Sequence, residues 1–210
     1  MKPFTTVTGA AVPLPLANID TDVIIRVERM TNRSPSAMRK YAFEALRYLG
    51  DGSENPDSPF NQEIYRDAPI LLTGDNFGCG SSREPAVWAI ASLGVRCVIA
   101  ESFGDIFFSN CFQNGLLALV LPPAEIALLA SEANGSANFK VDLTQQIVTS
   151  PSGTVYPFDV DPIRKELLLE GLDEIGQTLK WSDAITAWQT ADRIARPWVW
   201  QSPIARMPKD

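Results

Sequence analysis

Apolar positions along this chain change their rhythm twice. In the first forty residues, short apolar runs are interrupted by Pro and polar residues. Residues 12–16 and 23–27 read as strands around the polar turn Asn18-Ile19-Asp20-Thr21-Asp22. Residues 36–48 carry Met38, Tyr41, Ala42, Ala45, Leu46 and Tyr48 at roughly helical spacing and predict a helix. The stretch 51–61, DGSENPDSPFN, is a loop by composition. From residue 70 the pattern alternates: strand 70–73, a Gly-rich loop, helix 85–93 ended by Gly94, strand 96–100, helix 102–114 stopped by Gly115, and strand 116–121. The last strand is almost wholly apolar, which suits a position covered on both faces. Strand–helix–strand–helix–strand predicts an α/β core built from crossovers.

After Pro122-Pro123 the rhythm shortens again. A helix is predicted over 124–133, then strands at 139–143, 146–149 and 154–158 that form a small antiparallel sheet, then helices at 161–170 and about 182–194. The segment from Pro197, with Trp198 and Trp200, either packs on the body or is held by a partner. No internal repeat is present, and the expectation is a single domain over 1–210 with helices and tail from about 160 appended.

Composition narrows the chemistry. The chain has 210 residues with 45% hydrophobic and 20% charged, enough to bury a sizeable core. No apolar run reaches the ~20 residues of a membrane span, and MKPFTTVTGAAVPLPL is too Pro-broken for a signal peptide. A cytoplasmic protein is expected. A net charge of −7, without a Lys/Arg stripe, argues against nucleic acid or an anionic membrane as partner. With no histidine at all, Ser–His and Cys–His catalysis and His-ligated zinc are excluded within the chain. Cys79, Cys97 and Cys111 are spaced 18 and 14 residues apart, without the clustered spacing of an iron–sulfur site, so no metal is expected on this chain alone.

The Gly-rich loop, GDNFGCGSSRE over 74–84, is where chemistry concentrates. Gly74, Gly78 and Gly80 allow positive φ and close approach of a ligand. Pro85 predicts that Glu84 is an N-cap and that a helix starts immediately after it. Ser81, Ser82 and Arg83 then stand ahead of a helix N-terminus, where free N–H groups, hydroxyls and a guanidinium favour an anion. The loop lacks G-x-x-x-x-G-K-[ST] and does not fit G-x-G-x-x-G or G-x-S-x-G. On spacing alone it is either an anion site or a tight turn whose serines cap the helix.

The loop also resembles the signature of the small subunits of 3-isopropylmalate dehydratase, in the swivelling domain of the aconitase superfamily. The opening TGAAVPL with 18–25, the block RCVIAESFGDIFFSNCFQNGLLALVLP over 96–122, and GLDEIGQTLKWSDAI over 171–185 resemble the same family, so nearly the whole chain is covered. The resemblance implies an α/β swivelling β/β/α-type fold like the aconitase C-terminal domain. It also implies dehydration and rehydration of a 2-alkylmalate in leucine biosynthesis, with a large subunit holding a four-iron–four-sulfur cluster and this chain binding none. On the matched motif Ser81 is the base, Arg83 the carboxylate anchor and Ser82 a support. Asn76, Asp20, Thr21, Asp22 and Arg29 join them as substrate-binding candidates, with a turn-capping role open for 20–22 and a surface role open for Arg29. Two departures stand out: Pro85 replaces the family's usual His, and Arg26 with the following residues 27–33 replaces a Pro and a Gly-rich loop, with Arg26, Arg29 and Arg33 as cations that could meet a second carboxylate. The alternatives are a related hydro-lyase on another alkyl-malate and, in a different class, a non-catalytic dicarboxylate-binding module.

Overall fold

The computed structural model describes residues 1–30, 35–80, 83–134 and 138–200. Its strands are β1 (Thr6–Gly9), β2 (Ala11–Leu14), β3 (Ile70–Thr73), β4 (Cys97–Ala100), β5 (Leu117–Val120), β6 (Phe139–Asp142), β7 (Ile147–Thr149) and β8 (Val155–Pro157). Its α-helices are α1 (Thr21–Ile24), α2 (Glu44–Arg47), α3 (Pro85–Ser92), α4 (Asp105–Gln113), α5 (Pro123–Ala133), α6 (Pro162–Glu170), α7 (Glu174–Leu179) and α8 (Ser182–Ala195). Contacts divide the chain into two compact units, Met1–Asp173 and Glu174–Asp210.

The first unit holds both sheets. β2, β3, β4 and β5 lie side by side in sequence order, all parallel, with α3 and α4 as the crossovers. Every residue of β3 and β4 is buried, as their unbroken apolar runs require of strands covered on both faces. α5 then passes back across β2 and β3. The second sheet, β1-β6-β7-β8, is antiparallel, and β1 supplies an edge strand to the hairpins of the later chain. The Thr6-Val7-Thr8 alternation is the local signal for that edge strand, although its partner lies more than 130 residues away (Thr6 opposite Asp142).

Two predicted elements differ. Residues 23–27 were expected to be a strand, yet Thr21–Ile24 is one helical turn. The Asp20 carboxylate caps it by accepting from Val23 N at 2.7 Å, and this local bond overrides the β preference of Val and Ile. Residues 36–48 are also not one helix. A 3₁₀ turn (Pro35–Lys40) and α2 flank Phe43, whose backbone is left-handed at φ 51°. Phe43 is fully buried, stacks on Phe60 at 4.5 Å and donates its N–H to Ile24 O at 2.8 Å. The Arg47 guanidinium ties the same bend to the carbonyls of Arg39 and Ala42 at 2.7 and 3.2 Å. Tertiary burial therefore fixes a bend where the apolar spacing alone reads as a continuous helix.

The second unit consists of α7, α8 and the turn Pro197–Trp200. Within it, Asp192 accepts from Arg196 Nε at 2.6 Å and from Trp200 Nε1 at 2.9 Å, while Arg193 lies 4.8 Å over the Trp200 ring. The start of the tail thus folds back on the helix it follows. No helix among the described residues is long and apolar enough to cross a membrane.

Candidate active site

Three loops leave the carboxyl edge of the parallel sheet and meet: the one after β2, the Gly-rich loop after β3 and the one after β4. In open α/β sheets this edge is where ligands bind. The Gly-rich loop is laced to its neighbours by backbone bonds on both sides. Toward the β2 loop, Gly74 N bonds Leu16 O (3.2 Å), Asn18 N bonds Asp75 O (2.8 Å), Gly78 N bonds Ile19 O (2.7 Å) and Thr21 N bonds Cys79 O (3.1 Å). Toward the β4 loop, Phe77 N bonds Ser102 O (3.0 Å) and Gly104 N bonds Phe77 O (2.9 Å). An irregular segment whose backbone groups are paired this fully is held in one shape.

Side chains complete the lacing. Asn18 and Asn76 both have left-handed backbones, at φ 56° and 55°, a conformation Asn tolerates better than other side chains. Asn76 Nδ2 donates to Asn18 Oδ1 at 2.8 Å. The Ser102 hydroxyl accepts from Asn76 N at 2.8 Å and donates to Asp75 Oδ1 at 2.5 Å. Sequence reasoning did not single out Asn18, Asp75 or Ser102. A lone Ser after a strand carries no local signature, and only the sheet brings it beside a loop 26 residues earlier.

Beneath the loop lies an aromatic floor. Phe77 meets Phe103 and Phe107 edge-on at 6.3 and 5.4 Å, and Phe108 meets Phe112 at 5.1 Å. Gly78, at φ 73°, sits directly on this floor: a Cβ there would fall 2.2 Å from Phe107 Cγ. Left-handed strain of about 1–2 kcal/mol and overpacking of about 1–3 kcal/mol then act together. Gly78→Ala is expected to lower the thermal midpoint by roughly 4–20 °C. A midpoint within about 2 °C of the wild type in a calorimetric melt would show that the loop is not seated on Phe107 as described.

The candidate residues distribute as follows. Arg83 is half-buried, and its Nη1 lies 3.0 Å from Asp22 Oδ1, in the first turn of α1. Asp20 caps that turn, forms a backbone bridge with Cys79, and has its Cβ 3.5 Å from where a Gly80 Cβ would stand. Thr21 is buried, at 1% exposure. Asp20, Thr21, Asp22, Asn76 and Arg83 are thus brought together around one loop. Ser81, Ser82 and Arg33 lie outside the described residues.

Glu84 departs from its expected extended backbone: at φ −53°, ψ −36° it is already helical. Ala86 N bonds Arg83 O (3.1 Å), and the Glu84 carbonyl accepts from Val87 N (2.9 Å) and Trp88 N (3.3 Å). Its carboxylate takes Asn114 Nδ2 at 2.9 Å, while Asn114 Oδ1 takes Trp88 Nε1 at 2.8 Å. These bonds outweigh the usual pre-proline restriction and wind the first helical turn back to Arg83.

Arg29 stands apart from this group. Its guanidinium grips Glu44 with two bonds, Nε–Oε2 at 3.0 Å and Nη2–Oε1 at 2.8 Å, and lies 4.7 Å over the Tyr41 ring. With Arg26, Lys40, Tyr41 and Tyr48 it lines a cavity of about 620 Å³, to whose lining none of the described residues of the 74–84 loop contributes.

The cysteines do not fit an iron–sulfur cluster. Cys97 and Cys111 are fully buried, and burial pushes both thiols well above their ordinary range, away from the thiolate a cluster binds. Cys79 is half-buried in the loop. Among the described residues no group of three or more His, Cys, Asp or Glu is placed to hold a metal ion.

Comparison with known proteins identifies the family and the fold. The family model described as the aconitase C-terminal domain matches residues 1–124, and the one described as LeuD_N matches residues 128–162. A 3-isopropylmalate dehydratase small subunit from Roseobacter denitrificans is 49% identical over 201 residues, 95% of this chain and 100% of its own length. One from Gluconacetobacter diazotrophicus is 49% identical over 200 residues, 94% of this chain and 97% of its own. The crystal structure of a 3-isopropylmalate dehydratase from Methanocaldococcus jannaschii superposes with a TM-score of 0.64 at 23% identity, over 88% of this chain and 99% of that one. At that identity the likeness speaks to the fold.

Proposed function

This chain belongs to the family of 3-isopropylmalate dehydratase small subunits, and from that premise we propose how its residues serve the isomerisation of 2-isopropylmalate to 3-isopropylmalate. The reaction removes water to give isopropylmaleate and adds it back at the neighbouring carbon, a step in leucine biosynthesis. The observation that carries the reading is the Gly-rich loop itself: residues 74–79 are locked on both sides, and Arg83 stands just ahead of α3.

Ser81 is the base that takes the carbon-bound proton and returns it at the other carbon. A serine alkoxide is a viable base near neutral pH only where N–H donors and a cation stabilise it. The first turn of α3 and Arg83 are the groups the sequence sets next to it. Arg83 anchors a substrate carboxylate through the nitrogens that do not face Asp22. Asp22 orients that guanidinium, Ser82 and Asn76 support the loop, and Asp20 and Thr21 hold the facing wall. Arg29 is assigned to the substrate's far end, from the cationic cavity beside α2.

Departure of the hydroxyl calls for a Lewis acid. The cysteines of this chain do not fit that role, so we assign it to a four-iron–four-sulfur cluster on a large subunit. The protein accordingly works in the cytoplasm as half of a heteromeric enzyme whose substrate is a small dicarboxylate. The pairing is tested by gel filtration of the purified chain mixed with the large subunit. One complex of the two chains is expected, and separate elution under every assay condition would contradict the pairing.

A further inference from the structure

We propose that Ser102 is a positioning residue for proton transfer: its hydroxyl sets the shape of the Gly-rich loop that presents Ser81. The inference rests on Ser81 being the base.

A hydroxyl has one donor and two acceptor positions, and Ser102 uses both kinds on adjacent loop residues. It donates to Asp75 Oδ1 at 2.5 Å, a short bond of the charge-assisted class, and accepts from Asn76 N at 2.8 Å. Its own carbonyl takes Phe77 N at 3.0 Å, so one residue at the end of β4 grips three consecutive loop residues. Those three include Asn76, whose left-handed backbone reverses the loop. On the opposite side Asn18 holds the same two residues, through Asp75 O and the Asn76 amide. The loop is therefore clamped between Asn18 and Ser102 five residues before Ser81.

The two sides of that clamp are not equally replaceable. Asp75 is exposed and Ser102 half-buried, so water can solvate the carboxylate if the hydroxyl is removed. Folding then loses little. The turn at Asp75 and Asn76 loses the two bonds that the hydroxyl makes, and small misplacements of a reacting group farther along such a loop cost rate steeply.

The test is steady-state kinetics of the complex reconstituted with the large subunit, comparing wild type with Ser102→Ala, Ser102→Thr and Ser81→Ala. Ser102→Ala should lower kcat per assembled complex by about 30- to 100-fold with KM changed less than about threefold. Its acid limb in the kcat–pH profile should move to higher pH, because a misplaced serine loses the donors that lower its pKa. Ser102→Thr, which keeps the hydroxyl, should recover wild-type kcat to within about threefold. Three results would each overturn the proposal: wild-type kcat and pH profile in Ser102→Ala, fewer complexes of unchanged kcat, or a Thr variant as impaired as the Ala variant. Ser81→Ala separates the two claims. If it retains turnover the base assignment fails; if it is dead while Ser102→Ala is normal, only the role of Ser102 fails.

Discussion

Ser81→Ala is expected to reduce turnover of the assembled enzyme by roughly a thousandfold, within the range general-base groups contribute, while subunit assembly stays intact. Ser81 takes this role from the loop motif it shares with the family, and the composition of the chain is compatible with it. The chain has no histidine, so no imidazole on it can take the proton. Cys97 and Cys111 are buried and held protonated, which removes both as thiolate bases. Ser81 follows Gly80, whose φ of 87° turns the chain toward α3, and precedes Arg83, where the first helical turn begins. Loss of the hydroxyl removes the base. The measurement is kcat of the reconstituted variant with complex formation checked by gel filtration. A kcat within about tenfold of the wild type would mean that the proton goes elsewhere.

Arg83→Lys should raise KM for the diacid by at least about tenfold, near 1.4 kcal/mol of lost binding, with a smaller change in kcat. Lysine keeps the charge but presents a point cation in place of a planar fork. In wild type one arm of the fork is held by Asp22 at 3.0 Å, which aims the remaining nitrogens. A lysine given the same partner has no second arm to aim. Since 36% of the Arg83 side chain and 59% of that of Asp22 remain accessible to solvent, the pair adds little stability and the substitution should leave folding unchanged. An unaltered KM would remove Arg83 from carboxylate binding.

The parallel sheet was legible in the sequence because each of its elements announces itself locally. The runs around 70–73 and 96–100 are unbroken and apolar, and Gly94 and Gly115, both at positive φ, punctuate the helices between them. The antiparallel hairpins were equally readable from turn residues such as Gly153. What escaped depends on distant partners. The bend at Phe43 exists because Phe60 and the Ile24 carbonyl receive it. The turn at 21–24 exists because Asp20 caps it.

The site divides in the same way. Glycine spacing and Arg83 just ahead of the Glu84-Pro85 helix start marked the loop without any fold. Asp22 as the partner of Arg83, and Ser102 with Asn18 as the clamp on the loop, are products of tertiary neighbourhood. Arg29 belongs to the same class: the sequence left substrate binding and a surface role open for it, and its contacts with Glu44 and the Tyr41 ring are visible only in the fold.

The central claim is that this chain is half of an enzyme, and the direct measurement is turnover of 2-isopropylmalate by the purified chain, by the large subunit and by their mixture. Formation of isopropylmaleate and 3-isopropylmalate only in the mixture, lost again with Ser81→Ala, is the predicted result. Turnover by this chain alone, or by the large subunit without it, would contradict the account.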